Sequence, residues 1–191
     1  MTGQVRDAAR TRRALLDAAA RSVVVHGAGV SLDGVAREAG VSKGGLMHHF
    51  RSKDELMAAL ADDLFDQFAH AVEERIDPDD HAPGRRLRAY VRATFDDLEK
   101  TQDAVEQTTL MATLSSFPEA ARRAQERYRR WNRTLAEDGV DPQRILVVLR
   151  ACDGASIAPL FEGQLGPEEL AATRALLLAL AAGTGPLVDT T

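Results

Sequence analysis

Along almost the whole chain, apolar residues return every three or four positions, and the runs are cut by glycine and proline rather than by strand-like alternation. That pattern restricts the chain to an all-α fold. Leu56, Leu60, Leu64 and Phe68 form one stripe, and Leu87, Tyr90, Val91, Thr94, Phe95 and Leu98 a wider one. Ala121, Ala124, Tyr128, Trp131 and Leu135 form a third. About nine helices are expected, and 191 residues of 45 % hydrophobic content suffice for a buried core.

The punctuation places the helices. A first helix over Ala9–His26 is stopped by Gly27 and Gly29. Ser31 caps a short second helix that carries Leu32, Val35, Ala36 and Ala39 inward; Gly40 ends it, and Ser42 caps a third. Ser52 and Glu55 form a capping box at the start of a long fourth helix that reaches about Ile76. DPDDHAPG, Asp77 to Gly84, reads as a linker. Its three aspartates and one histidine offer metal-type donors, but nothing else supplies distant ligands, so no metal is expected. Six arginines from Arg122 to Arg133 read as a solvated face.

Asp141 caps a helix with Pro142 at its first position, and ILVVLRACDGASIAPLF follows, apolar on nearly all sides. The last helix runs from Glu168 to Ala182. These two helices present more apolar surface than one chain of this size covers, so they are expected to meet a second copy as a four-helix bundle. Two units are expected: residues 1–52, with helix four (53–76) connecting, and a helical dimerisation body over 53–191.

Several function classes are disfavoured. Cys152 is the single cysteine, which excludes an internal disulfide framework and fits a reducing compartment. No segment approaches the roughly 20 apolar residues of a membrane span, and no secretory core is seen, so a cytoplasmic location is expected. There is no GxSxG elbow, phosphate-cradling glycine loop or HExxH, and Cys152 has no histidine partner in its helix, so an enzyme is not expected and no cofactor is implied. The net charge of -5 is unevenly spread: residues 1–60 hold nine Lys and Arg against six Asp and Glu, leaving fifteen against twenty-three for the rest. A basic head on an acidic body suggests two jobs in one chain.

The head's chemistry lies in VSKGGLMHHF, Val41 to Phe50. Each glycine costs roughly 1 kcal/mol inside a helix relative to alanine, so something other than helix stability selects Gly44 and Gly45. Leu46 and Phe50, four apart, share the buried face, which leaves Lys43, Gly44, Met47 and His48 on other faces. Helix, short turn and helix with a small tip is the geometry that lays a second helix in the major groove of DNA. Missing side chains at Gly44 and Gly45 let the backbone approach the duplex, with its free N-H groups toward phosphates. Lys43 supplies charge, Ser42 and His48 hydrogen bonds, and Met47 an apolar contact. His49 reads either as partly buried or as a phosphate contact. Adjacent residues point about 100° apart on a helix, so His48 and His49 do not suit one metal ion.

The segment TRRALLDAAARSVVVHGAGVSLDGVAREAGVSKGGLMHHFRSKDELMAAL resembles the N-terminal domain of the TetR family of transcriptional repressors over about fifty residues. The resemblance is carried by TRRALLDAA, by the turn AREAGVSKG and by the step HHFRSKDEL; the GG-containing third helix looks like the multidrug-responsive branch. It implies a repressor that binds a palindromic operator as a homodimer and is released by a small effector, which acts by changing the separation of the two recognition helices through helix four. It also implies that Ser31 and Leu32 lie close to DNA, that Lys53 touches a phosphate and that Arg10, Arg12 and Arg13 add backbone contacts. The family usually has threonine where Gly45 stands and tyrosine where Met47 stands, so two hydroxyl contacts are missing, and Asp33 sits where a basic residue would help.

For the effector, candidate residues combine apolar stripe positions with a misplaced polar group: Phe68, Phe95, Gln107, Met111, Trp131, Asn132, Asp153, Ile157 and Phe161. Plain core packing is the other reading for each aromatic. Asp153, a carboxylate in a largely apolar helix, needs a partner or a cation. An acidic, aromatic-bearing pocket would favour lipophilic cations; a local hydrogen bond or a solvated position is the alternative. The competing function is a helical dimer that binds a ligand or partner without specific operator recognition.

Overall fold

The computed structural model describes residues 2–100, 104–163 and 165–189. These form α1 (Thr2–His26), α2 (Leu32–Glu38), α3 (Lys43–His49), α4 (Lys53–Glu73), α5 (Arg85–Lys100), α6 (Ala104–Leu114), α7 (Pro118–Ala136), α8 (Pro142–Ile157), α9 (Pro159–Glu162) and α10 (Pro167–Ala182), with a 3-10 turn at Gly27–Gly29. The described residues contain no strand. The expected all-α architecture of about nine helices is found among the described residues, with α9 a single turn set off from α8 at Pro159.

The chain divides into two compact units, Met1–Phe65 with Thr109–Glu126, and Asp66–Thr108 with Arg127–Thr191. The first unit runs past the expected boundary at residue 52. Leu56, Met57, Ala58, Ala59, Leu60 and Ala61 are all buried in its core, and Leu110, Leu114, Phe117 and Ala120 join them there. A connecting helix that supplies that much buried surface is part of the unit.

Polar contacts fix the helices of the first unit. Glu38 on α2 accepts from Arg21 Nε at 2.6 Å and from the buried Ser22 hydroxyl at 2.7 Å, both on α1. The Ser22 donor first, and Arg21 with it, hold the Glu38 carboxyl below its usual range. Arg13 on α1 reaches both Asp63 oxygens on α4 at 2.7 Å and also pairs with Asp17. Arg13, for which a DNA-backbone contact is expected, thus has two carboxylate partners on the protein itself, while Arg12 stacks 4.6 Å from the Phe50 ring. The arginines of α7 are not simply a solvated face either. Arg123 holds Asp62 of α4 at 2.8 Å, Arg122 pairs with Glu119 and Glu126, and, within the second unit, Arg127 pairs with Asp66. Arg122 first, then Arg123, lower the Glu119 carboxyl to about 2.

The second unit has its own core, in which Leu87, Val91, Phe95, Leu135, Val148, Leu149, Leu177 and Ala181 are buried. The Asp77–Gly84 linker is folded onto it by Arg88, only 8 % exposed, whose guanidinium holds Asp80 at 2.6 and 2.7 Å and donates to the carbonyls of Ala82, Pro83 and Ala181. Gly84 is required there: its φ is +88°, and a Cβ would meet the Ala181 carbonyl oxygen and lie 2.7 Å from Val140 Cγ2.

Candidate nucleic-acid interface

The turn between α2 and α3 is built from backbone bonds. Gly40 adopts φ +71°, the Val41 N-H donates to Ala36 O at 2.9 Å, and the Gly40 N-H donates to Arg37 O at 3.1 Å. This is a Schellman ending, which satisfies the last carbonyls of α2 and turns the chain within two residues. The serines act as expected: Ser31 Oγ accepts from the Gly34 N-H at 3.1 Å, and Ser42 Oγ accepts from the Gly45 N-H at 3.0 Å. At α4, Ser52 Oγ accepts from the Glu55 N-H, but Glu55 returns the bond to the Arg51 N-H at 2.8 Å rather than to Ser52. The capping box is thus displaced by one residue.

α3 buries Leu46 and Phe50 at 0 % and 1 % exposure and presents the rest outward. Ser31, Ser42, Lys43, Gly44, Met47 and His48 are exposed, and Leu32, Gly45, His49 and Lys53 are partly so. The protein itself does not require the two glycines. A Cβ at Gly44 would find Ser42 Oγ no nearer than 3.9 Å, and one at Gly45 would meet it at an ordinary 3.4 Å. Two of the expected phosphate-binding cations have partners. Lys43 Nζ lies 2.9 Å from Asp33 Oδ2, and Lys53 Nζ donates to Ala28 O at 2.7 Å and sits 5.3 Å from the Phe117 ring. Sequence periodicity could not reveal the Lys53 contact, because Phe117 is 64 positions further on.

In the second unit the structure gathers only part of the effector set. Phe68 meets the Tyr90 ring edge-on at 5.2 Å, and Tyr90 lies 6.1 Å from Trp131. The indole Nε1 of Trp131 and Oδ1 of Asn132 are buried without a hydrogen-bond partner. Tyr90 and Tyr128 each fit a core stripe of the sequence, so periodicity alone does not single out their contacts with Phe68, Trp131 and Asp153. Burial first, and the Asp153 charge second, raise the Tyr90 hydroxyl well above its usual range. Asp153 has found a partner rather than awaiting a cation: Arg150 Nη1 approaches it at 2.6 Å and the Tyr128 hydroxyl at 3.5 Å. Phe95 is wholly buried core, whereas Ile157 at the end of α8 and Phe161 on α9 are 48 % and 81 % exposed. Gln107 is exposed, and Met111, 37 % exposed, belongs to the first unit. Burial pushes the Cys152 thiol up to about 12, which removes it as a nucleophile near neutral pH.

An α2–turn–α3 element with a capped, side-chain-poor outer helix defines a helix-turn-helix protein. The sequence profile described as "Bacterial regulatory proteins, tetR family" matches residues 15–60, and that described as "Tetracyclin repressor-like, C-terminal domain" matches residues 84–182. The chain belongs to the TetR family, whose members are transcriptional regulators and not enzymes. It is 38 % identical over 90 residues to the HTH-type transcriptional regulator BetI of Serratia proteamaculans (strain 568), covering 45 % of this chain and 44 % of that one. The chain spans about half the length of the curated relatives it matches. Among solved structures, a TetR-family member from Streptomyces coelicolor A3 superposes with a TM-score of 0.70 at 25 % identity, covering 89 % of this chain and 97 % of that one. The multidrug binding protein EbrR, complexed with malachite green, does so with a TM-score of 0.69 at 27 % identity, covering 88 % and 96 %.

Proposed function

We propose that the chain is a ligand-responsive transcriptional repressor that binds a palindromic operator as a homodimer and is released by a small lipophilic effector. The observation that carries the DNA-binding half is the glycine pair. Gly44 and Gly45 cost helix stability, stand exposed and half-exposed at the start of α3 and meet no internal obstacle to a Cβ. Their use lies outside the protein, where a phosphate or base edge needs close approach to the backbone. Ser31, Leu32, Ser42, Lys43, Met47, His48, His49 and Lys53 complete the proposed face.

The dimer reading is supported by Leu146 and Val147 on α8 and Leu176 on α10, which are 57 %, 42 % and 67 % exposed. Isolated exposed apolar residues are ordinary; three on the two helices already expected to pair with a second copy favour that use. The effector reading is supported by the Phe68, Tyr90 and Trp131 rings, where the buried Trp131 N-H lacks a partner, which suits a flat lipophilic molecule carrying an acceptor. Effector binding to EbrR is a property of that relative. No helix among the described residues is long and apolar enough to cross a membrane, and a cytoplasmic location accords with binding DNA.

Titration with duplex DNA from around the gene tests the proposal, with sedimentation to count protomers. Tight binding at about 50 mM salt that falls by several orders of magnitude at about 200 mM is the expected result for a phosphate-rich contact. A second reading, a dimer that binds ligand or partner without an operator, is favoured by the anionic Asp33 on this face; absence of binding to every duplex at low salt would select it.

A further inference from the structure

Asp33 is the feature of the α2–α3 face that a phosphate-binding surface does not explain. It stands in the first turn of α2 with its side chain 61 % exposed, and Lys43 Nζ, 60 % exposed at the first position of α3, lies 2.9 Å from its Oδ2. An ion pair this exposed adds little to the fold. A helix dipole favours an acidic first turn, but it does not require that acid to neutralise the lysine of the neighbouring helix. Set against phosphates alone, the pair has no net charge and Asp33 is repelled.

We infer that Lys43 and Asp33 act together as a fork that reads one G·C base pair in each operator half-site. This rests on the proposed seating of the α3 N-terminus in the major groove. A lysine ammonium has three N-H donors, and Asp33 occupies one; two remain. The major-groove edge of a G·C pair presents, in order, guanine N7 and O6, both acceptors, and then the cytosine N4 amino group, a donor. Lys43 covers the two acceptors, and the free oxygen of the Asp33 carboxylate accepts from N4. An A·T edge runs acceptor, donor, acceptor, methyl, so it offers no adjacent pair of acceptors and places a methyl group beside the last one. The fork therefore discriminates, whereas a lone lysine at this position would contact guanine, a thymine carbonyl or a phosphate with less preference. Asp33 becomes a specificity-determining residue, and the charge it costs on the DNA face is the origin of its selectivity.

The test is selection of duplexes from a random-sequence library by the wild type, Asp33→Ala, Lys43→Ala and the double variant, followed by anisotropy titration of a selected duplex and its single-pair substitutions. Both side chains are exposed, so the variants keep their fold, which circular dichroism checks. The wild type is expected to enrich a fixed G·C pair once per half-site and to lose about tenfold in affinity when it is replaced by A·T. Each single variant loses that preference at that pair alone, and the double variant loses no more discrimination than either single. The inference is overturned if Asp33→Ala tightens binding to all duplexes alike with the selected sequence unchanged, since the pair would then face the backbone. A wild type that binds no duplex at low salt would instead overturn the operator reading beneath it.

Discussion

Arg150 Nη1 lies 2.6 Å from Asp153 Oδ2, three residues along α8, and the Tyr128 ring stands 5.5 Å from the same guanidinium. The acid that the sequence offers as a magnet for cationic effectors is thus already neutralised by its own helix. Arg150 and Asp153 are 59 % and 38 % exposed, so their mutual attraction is worth only about 0.2–1 kcal/mol. Asp153→Asn is accordingly expected to change the affinity for a lipophilic cation such as ethidium by less than about fivefold in a fluorescence titration. A loss beyond tenfold would mean that the dye displaces Arg150 and touches the carboxylate.

Gly44→Ala separates stability from function. The added methyl group meets nothing of the protein closer than 3.9 Å, and the helical φ of this position suits alanine, so urea denaturation should show a gain of up to about 1 kcal/mol. Operator affinity should fall in the same variant, because the methyl group stands where the backbone approaches DNA. A variant both more stable and equally tight on DNA would remove the glycine argument.

The head was legible in the sequence because its signals are local. Ser31 and Ser42 each cap a helix within three residues, Gly40 supplies the positive φ of the turn, and Leu46 with Phe50 declare the buried face of α3. The effector side was less legible for the opposite reason. Periodicity cannot tell that Asp153 will pair with Arg150, nor that Phe161, on the short turn after α8, will stand 81 % exposed. Contacts between distant segments were invisible as well: Arg123 meets Asp62, and Lys53 meets Phe117, across more than 60 residues of chain.

Arg88 is expected to be the most sensitive polar residue of the second unit. Its guanidinium is almost fully buried and serves Asp80 together with three backbone carbonyls. Arg88→Met keeps much of the aliphatic packing but leaves the Asp80 carboxylate with only the Ala82 N-H as donor and removes the guanidinium from those carbonyls. Removing one member of a buried pair costs about 3–5 kcal/mol, and the lower end applies because the Asp80 side chain keeps 17 % exposure. Thermal or urea denaturation should show a loss near ~3 kcal/mol, and a loss under ~1 kcal/mol would show that water replaces the guanidinium.

The same pair gives the protein an acid limit with a defined sign. Arg88 first, and the Ala82 N-H with it, hold the Asp80 carboxyl below its ordinary 3.8. The unfolded chain therefore takes up this proton at a higher pH than the folded protein does. The pair's contribution is complete above pH 3.8 and is lost as pH falls through the lower folded value. Glu38, lowered by Ser22 and Arg21, adds a contribution of the same sign, complete above its ordinary 4.5 and lost as pH falls through its lower folded value. Denaturation midpoints measured from pH 6 to pH 2 should stay level and then drop on the acid side. In Asp80→Asn the protein should be less stable at pH 6, and its drop should be shallower. Parallel profiles for the variant and the wild type would show that Asp80 titrates alike in both states, and the ion pair would then not be a source of stability.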